Sequence, residues 1–240
     1  MIRAQHPLFD DHDRLVKALH LLNDHRDEIT RFYDSILGVQ VQRDAVEMLK
    51  DAFRASVNER RGASFPRGKE AVKAFDDSVE SIAHKVDALI PTNPEDAHRT
   101  LFEWVASLPN IDQKIAAMFI KFVVVYLGHW REMLPYLYVP VDVVVLKILK
   151  KKLRVYLGPW TQAPAVTNPQ GKLYLRGGRM SAQYSDFMNF QNQVGEIAAR
   201  ADAPRILVDE LWFIGHIFCK PFPICDRCWL RDICQGRPFV

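Results

Sequence analysis

The sequence predicts an all-α protein, and three observations support this class. Apolar residues recur at helical spacing along most of the 240-residue chain. Segments rich in proline, glycine and small polar residues separate these stretches at 60–68, 90–96 and 158–171. Strand-like alternation occurs only at 172–176, between two glycine-containing turns, where a small hairpin is an alternative. The fold is therefore expected to be a bundle of helices rather than a sheet.

The periodic stretches predict helices in nine places. They lie at 13–22, 28–37, 44–57, 69–89, 96–107, 111–127, 143–157, 184–201 and 205–218. The start near residue 94 has the best local signal, because Pro94 fits a first helical turn and the acidic Glu95 and Asp96 face the positive end of the helix.

Composition indicates a globular protein. Hydrophobic residues make up 48% of the chain, which is enough for a core, and charged residues make up 25%. The longest apolar run is interrupted by Lys121, so no membrane span is expected. The first residues carry charges where a secretory signal would be apolar, which favours a cytoplasmic location. The net charge of +3 is too small to indicate a polyanionic partner by itself.

All four cysteines lie near the carboxyl end with the spacing C-x5-C-x2-C-x5-C. They are Cys219, Cys225, Cys228 and Cys234. Four thiols within sixteen residues can converge on one metal centre, and an iron–sulfur cluster is the favoured occupant. Zinc is the alternative, although structural zinc sites usually pair two short knuckles and this loop has one. Disulfides are disfavoured in a cytoplasmic protein.

Residues 101–128 read as two helices joined by a tight connection at 108–112. Such a joint can direct backbone N–H groups outward, and a helix amino terminus of this kind binds phosphate. Leu108 and Ile111 are expected to pack beneath the turn. The alternative is an ordinary connection between two packed helices.

The segment VPVD at 139–142 precedes the helix predicted at 143–157. Pro140 favours extended backbone before it, and Asp142 is a suitable helix cap. Capping leaves one carboxylate oxygen available, so a cap and a catalytic group are compatible roles. The following helix has one basic face, which indicates either contact with a nucleic-acid backbone or a solvated surface. This face comprises Lys147, Lys150, Lys151 and Arg154.

In chain order, LPNIDQKIA at 108–116, VPVD at 139–142 and the cysteine loop at 219–234 resemble the endonuclease III branch of the helix–hairpin–helix DNA glycosylases. Gly215, four residues before the first cysteine, and the apolar stretch ending at Gln40 match that family as well. The resemblance implies a monomer that acts on duplex DNA and holds a [4Fe–4S] cluster on its four cysteines.

The resemblance also implies a two-lobed fold. A helical-barrel domain at 31–137 would carry the helix–hairpin–helix. Residues 1–30 and 138–240 would form the second helical domain with the cluster loop. The insert at 158–183 has no counterpart in the endonuclease III pattern.

By position, Lys114 corresponds to the lysine nucleophile of the family and Asp142 to its aspartate. A neutral amine attacks the sugar C1′ of a flipped nucleotide to form a Schiff base, and a carboxylate stabilises the developing cation. A position in the first turn of a helix is expected to lower the pKa of Lys114. The implied DNA contacts are Gln40 (with Gln42 as a substitute), Asn110, Ile111, Gln113, Lys147 and Arg227.

These residues imply a DNA glycosylase with β-lyase activity that excises a damaged base. Two alternatives stay open: a non-catalytic iron–sulfur protein that binds DNA, and a monofunctional glycosylase in which Asp142 activates water. Asn110 and Asp112 replace the two hairpin glycines of the family, and Asp112 places negative charge where a phosphate would bind. Lys121, seven residues after Lys114 on the same helical face, is the rival nucleophile.

Overall fold

The computed structural model describes residues 12–37, 44–61, 66–157, 182–219 and 223–235. Within these ranges the chain is mostly helical and contains no strand, which confirms the all-α prediction for them. Gln40, Gln42, the hairpin alternative at 172–176 and most of the insert at 158–183 lie outside the described residues. Among the described helices, none combines the length and the apolarity that a membrane crossing requires.

Ten α-helices occur in the described residues. They are α1 (His12–Asp24), α2 (Arg26–Leu37), α3 (Ala45–Arg61), α4 (Pro66–Asp76), α5 (Val79–Leu89), α6 (Pro94–Ser107), α7 (Gln113–Lys121), α8 (Val143–Lys147), α9 (Ala182–Arg200) and α10 (Leu211–Ile217). Two π-helical segments, Phe122–Tyr126 and Ile148–Leu153, continue α7 and α8. Short 3₁₀ helices occupy Arg131–Tyr136, Arg205–Glu210 and Cys225–Arg227.

Two helix boundaries and one connection differ from the sequence expectation. The single helix predicted at 69–89 is two helices, since the chain turns at Ser78, whose hydroxyl donates to the Ala74 carbonyl at 2.7 Å. The helix predicted at 143–157 ends at Leu153, because Arg154 adopts a left-handed conformation with φ of 57°. The connection after α7 contains the unpredicted 3₁₀ helix Arg131–Tyr136.

The predicted helix start near residue 94 is confirmed. α6 begins at Pro94, and the side chain of Asn93 accepts a hydrogen bond from the backbone N–H of Asp96 at 3.1 Å. This contact satisfies one of the amides that a helix leaves unpaired at its amino end. The cap therefore determines the residue at which α6 begins.

The helices pack in two groups that share one core. α3 packs against α4, α5 and α7, and α6 packs against both α5 and α7. α1 packs instead against α9 and the segments 148–153 and 205–210. The buried apolar side chains of the described residues form one continuous cluster that includes both groups. This core surrounds α7 and α8, the two helices that begin at the residues of chemical interest.

Gly215 in α10 permits a close helix crossing beside this region. A methyl group on Gly215 would overlap the side chain of Val144, which lies two residues after Asp142. We expect Gly215→Ala to lower the free energy of unfolding by about 1–3 kcal/mol, as overpacking does in well-packed cores. Urea denaturation measures the change.

Gly195→Ala is the matched control for this prediction. A methyl group at Gly195 would lie 3.9 Å from its nearest neighbour, the Arg205 side chain, so it meets no obstacle. Because alanine is the better helix former, this control should leave stability unchanged or raise it by up to about 1 kcal/mol. Equal urea midpoints for Gly215→Ala and the wild type would contradict the close crossing.

Candidate active site

The connection between α6 and α7 is a tight turn with a left-handed residue. Asn110 has φ of 61°, and the Ile111 N–H donates to the Leu108 carbonyl at 3.2 Å. Asparagine tolerates this conformation better than most residues other than glycine, so the turn forms without a glycine at this position. Leu108 and Ile111 are buried beneath it, as predicted.

Asp112 caps the amino end of α7. Its carboxylate accepts a hydrogen bond from the Ile115 N–H at 3.0 Å. This carboxylate lies on the amides that would otherwise be available to an anion, and its charge opposes a phosphate there. The hairpin is therefore a poorer phosphate site than an uncapped helix end.

Asp142 caps the amino end of α8, as predicted. One carboxylate oxygen, Oδ1, accepts from the Val144 N–H at 2.6 Å. The other oxygen, Oδ2, forms an ion pair with the Nζ of Lys114. A single buried carboxylate thus holds a helix end and faces Lys114.

Lys114 lies in the first turn of α7, and it meets Asp142 across 28 residues of sequence. The lysine side chain is 26% exposed, whereas that of Asp142 is 3% exposed. The pair therefore has a buried acidic side and an amine that reaches the surface. This arrangement can deliver an amine to a molecule bound outside while the carboxylate stays fixed.

Lys121 occupies a different environment from Lys114. Its side chain is 1% exposed, and its Nζ lies 2.7 Å from both Asp209 Oδ2 and Glu210 Oε1. Burial alone would lower the pKa of Lys121, but the two carboxylates outweigh it and hold the pKa above its ordinary value. A buried ammonium that both carboxylates hold in this way is poorly suited to act as a nucleophile.

Glu210 also accepts a hydrogen bond from the Tyr126 hydroxyl at 2.8 Å. Burial raises the pKa of Glu210, and the contact with Lys121 opposes this without reversing it. The Nζ of Lys121 lies 4.9 Å from the centre of the Tyr33 ring and 5.6 Å from that of Tyr126. This buried network joins α7 to the segment 205–210, and it had no counterpart in the sequence analysis.

Of the described residues expected to contact DNA, two have buried side chains and the other three lie at least partly at the surface. Ile111 is buried, and the Gln113 side chain is turned inward onto Val141, so neither side chain faces a ligand. Asn110 remains at the surface, where its amide lies 3.5 Å from Glu70. Lys147 is half-buried in the last turn of α8, and Arg227 is exposed on the cysteine loop.

The basic face after Asp142 is only partly at the surface. Lys151 and Arg154 are exposed, whereas the Nζ of Lys150 is buried and, among the described residues, has no hydrogen-bond partner. Lys152, which the sequence analysis left out, is buried beside the cysteine loop, whose Gln235 N–H donates to its carbonyl at 2.8 Å. The apolar residues of the same stretch are buried, namely Val145, Leu146, Leu149 and Leu153.

The four cysteines are free thiols that influence one another. The pKa of Cys219 is raised to about 11, chiefly by burial and also by the other three thiols, while Lys152 opposes the shift. A thiol with this pKa stays protonated at neutral pH unless a metal displaces the proton. Across the described ranges, however, no three His, Cys, Asp or Glu side chains are placed to hold a metal ion. The donor set suits an iron–sulfur cluster or zinc, but the thiols are not gathered at coordination distance.

Aromatic contacts attach the cysteine loop to the rest of the protein. Trp229, next to Cys228, stacks on His25 with ring centres 4.1 Å apart and on Phe213 at 5.3 Å. Phe213 in turn contacts Phe32 of α2 at 5.0 Å. The loop is therefore packed against His25, which lies between α1 and α2, and against α10 through rings rather than through its thiols.

Three site-forming residues had no role in the sequence analysis. Gln191 and Arg205 bond to the backbone before Asp142, and Glu210 belongs to the Lys121 network. The available signal was a polar residue at a position where the helical pattern calls for an apolar one, as for Gln191 between Phe187 and Val194.

Comparison with protein-family models, with curated proteins and with solved structures gave no match for this chain. The functional argument therefore depends on the geometry of the site.

Proposed function

We propose that this protein is a DNA glycosylase with associated β-lyase activity, which excises a damaged base from duplex DNA. The observation that carries the proposal is the ion pair between Lys114 and Asp142. An amine and a carboxylate from distant segments meet beside the tight turn between α6 and α7, with the amine toward the surface. These are the groups that Schiff-base chemistry at a sugar carbon requires.

In the proposed reaction, Asp142 accepts the proton that Lys114 carries in the ion pair. The neutral amine then attacks C1′ of the flipped nucleotide, the bond from C1′ to the base breaks, and the base leaves with its electron pair. The nitrogen bonded to C1′ gives a proton to O4′ as the C1′–O4′ bond breaks, which opens the sugar ring to a cationic Schiff base on Lys114. Loss of the C2′ proton from this Schiff base then expels the 3′ phosphate as the leaving group. Asp142 passes the proton that it accepted to the departing base, and its restored charge then stabilises the cationic sugar, because burial keeps that charge effective.

The proposed arrangement is a two-lobed fold with DNA in the groove between the lobes. Lys147 and Arg227 would contact phosphates, and Gln40 would fill the gap left by the flipped base. The proposed cofactor is a [4Fe–4S] cluster on Cys219, Cys225, Cys228 and Cys234, with zinc as the alternative. The cluster would brace the loop that carries Arg227, and no step of the reaction requires it.

One observation favours a second candidate, a non-catalytic DNA-binding protein of the same fold. Asp112 places a carboxylate on the amino end of α7, where the family's hairpin binds phosphate. A protein with a weakened hairpin contact retains DNA binding through its basic surfaces but holds a nucleotide less firmly. The retained Lys114–Asp142 pair argues for chemistry over this alternative.

An abasic duplex tests the proposal without knowledge of the base. The wild-type protein should form a covalent adduct with this duplex when sodium borohydride reduces the Schiff base. A panel of single-lesion duplexes then identifies the base. Base release without an adduct indicates a monofunctional glycosylase. Binding without either product indicates the non-catalytic alternative and overturns the proposal.

The cofactor proposal has its own test. The purified protein should be brown, with broad visible absorbance that dithionite bleaches, and it should contain iron and acid-labile sulfide. Cys225→Ser should lose the colour, whereas Asp226→Asn in the same loop should keep it. Stoichiometric zinc without iron would contradict the cluster.

A further inference from the structure

The backbone that leads to Asp142 is held by side chains rather than by a neighbouring strand. Residues 137–142 run in non-helical conformation between the 3₁₀ helix Arg131–Tyr136 and α8. The segment is buried, and no strand pairs with it in the described part of the chain. Buried backbone N–H and C=O groups require partners, so the groups of this segment must be satisfied in another way.

Gln191 of α9 supplies two of these partners. Its Nε2 donates to the Val139 carbonyl at 2.8 Å, and its Oε1 accepts from the Val139 N–H at 2.8 Å. The Gln191 side chain is 0% exposed. One amide thus pairs with both polar groups of one residue, as an adjacent strand would do.

Gln113 repeats this arrangement two residues further along. Its Nε2 donates to the Val141 carbonyl at 3.4 Å, and its Oε1 accepts from the Val141 N–H at 3.5 Å. These bonds are longer and weaker than those of Gln191. Pro140, which lies between the two bridged residues, has no N–H that needs a partner.

A third side chain holds the start of the segment. The Arg205 guanidinium donates to the Leu137 carbonyl at 2.8 Å and to the Tyr136 carbonyl. It also lies over the ring of Tyr138, 5.2 Å from its centre. The segment is therefore fixed at three points from three different elements, α7, α9 and the 3₁₀ helix Arg205–Glu210.

The two glutamine bridges bear directly on the Lys114–Asp142 pair. Val141 immediately precedes Asp142, and Gln113 immediately precedes Lys114. The Gln113–Val141 bridge therefore joins the two chain segments one residue away from the ion pair. Gln191 fixes the same segment from the other side. A shift of Asp142 along the chain direction would therefore break the hydrogen bonds that Gln191 and Gln113 make to this segment.

We infer that Gln191 and Gln113 are positioning residues that set the Asp142 carboxylate against the Lys114 amine. The catalytic consequence rests on the proposed function, whereas the placement of the ion pair does not. A displacement of about 1 Å at a reacting centre can lower a rate about 100-fold. Loss of the stronger bridge should therefore reduce chemistry without reducing DNA affinity.

The principal test compares Gln191→Leu with Gln193→Leu, the same change on the same helix. Gln193 bonds within the helix to Asn189 and does not face Val139. In single-turnover trapping with saturating abasic duplex, Gln191→Leu should react about 10- to 100-fold more slowly, with an unchanged dissociation constant. Gln193→Leu should react at the wild-type rate.

A second readout does not depend on activity. Reductive methylation with ¹³C-formaldehyde labels Lys114, and NMR follows its methyl resonance across pH, with Lys114→Arg identifying the signal. Gln191→Leu should move this titration toward that of Asp142→Asn, while Gln193→Leu leaves it in place. Lower stability alone, with a wild-type rate and titration in the folded protein, would overturn the inference.

Two further outcomes separate the inference from the proposed function. If the wild type forms no adduct, the glycosylase–lyase proposal fails, and the NMR titration alone decides the positioning role. If Gln191→Leu does not fold, Gln191→Glu replaces it, since this variant keeps the acceptor for the Val139 N–H and loses the donor to the carbonyl. A rate below wild type with a shifted titration supports positioning, and wild-type values of both overturn it.

Discussion

Lys114→Gln should eliminate the borohydride-trapped adduct with abasic duplex DNA, a loss on the order of 10³-fold or more in trapping rate. The side chain supplies the amine that becomes the Schiff base, and glutamine has no nucleophilic nitrogen.

Asp142→Asn should abolish base excision as well, because asparagine cannot accept the lysine proton or stabilise a cationic sugar. Gel-resolved trapping and product analysis measure both effects.

The fold should survive both replacements. Asparagine retains an oxygen that can accept from the Val144 N–H, so the cap of α8 persists in Asp142→Asn. The DNA affinity of Asp142→Asn should be unchanged or higher, since this replacement removes a negative charge near phosphates. Lys85→Gln, a change at an exposed lysine of α5, is the control and should trap like the wild type. An adduct that persists in Lys114→Gln would identify another nucleophile.

The local features of this site could be predicted from sequence because their causes are local. Asp142 follows a proline-containing extended segment and precedes an apolar helix, which is sufficient to predict a cap. The tight turn before α7 follows from the pattern of Leu108 to Asp112, and Asn110 adopts the left-handed conformation that asparagine tolerates. In each case a few neighbouring residues determine the conformation.

The long-range partners could not be predicted in this way. Gln191 bonds to a residue 52 positions away, and Lys121 to one 88 positions away. A single sequence contains no signal that pairs such residues, because many polar side chains could satisfy the same group. The informative sign was a polar side chain on the buried, otherwise apolar face of a helix, and this sign is present at Gln113, Gln191 and Lys121. The prediction of a single helix at 69–89 was wrong for a different reason. The helical spacing of apolar residues continues through Ser78, so the sequence gives no sign of the break there.

Lys121→Met should lower the free energy of unfolding by about 3–5 kcal/mol at neutral pH. Methionine fills a similar volume, so the loss comes from the charge and not from a cavity. Without the ammonium, Asp209 and Glu210 are two buried carboxylates at 2% and 3% exposure with no cation between them. Removing one partner of a buried ion pair costs more than the pair contributes, because the remaining charge stays desolvated.

Lys73→Met is the control for this prediction. Lys73 pairs with Asp77 at 2.8 Å, but the two side chains are 79% and 62% exposed. An exposed pair of this kind contributes little to stability because water screens it, so Lys73→Met should unfold almost as the wild type does. A comparable loss of unfolding free energy in both variants would show that burial of the ion pair does not determine how much the lysine contributes to stability.

The loss in Lys121→Met should depend on pH in a defined direction. Burial already raises the pKa of Glu210 above its unfolded value, and removing Lys121 takes away the interaction that opposes this shift. A carboxyl group whose pKa is higher in the folded state stabilises the fold below the unfolded pKa, and this contribution is lost as pH rises through the folded pKa. Lys121→Met should therefore be more destabilised at pH 8 than at pH 5. Urea denaturation at both values measures the difference, and equal losses would contradict a buried carboxylate as the cause.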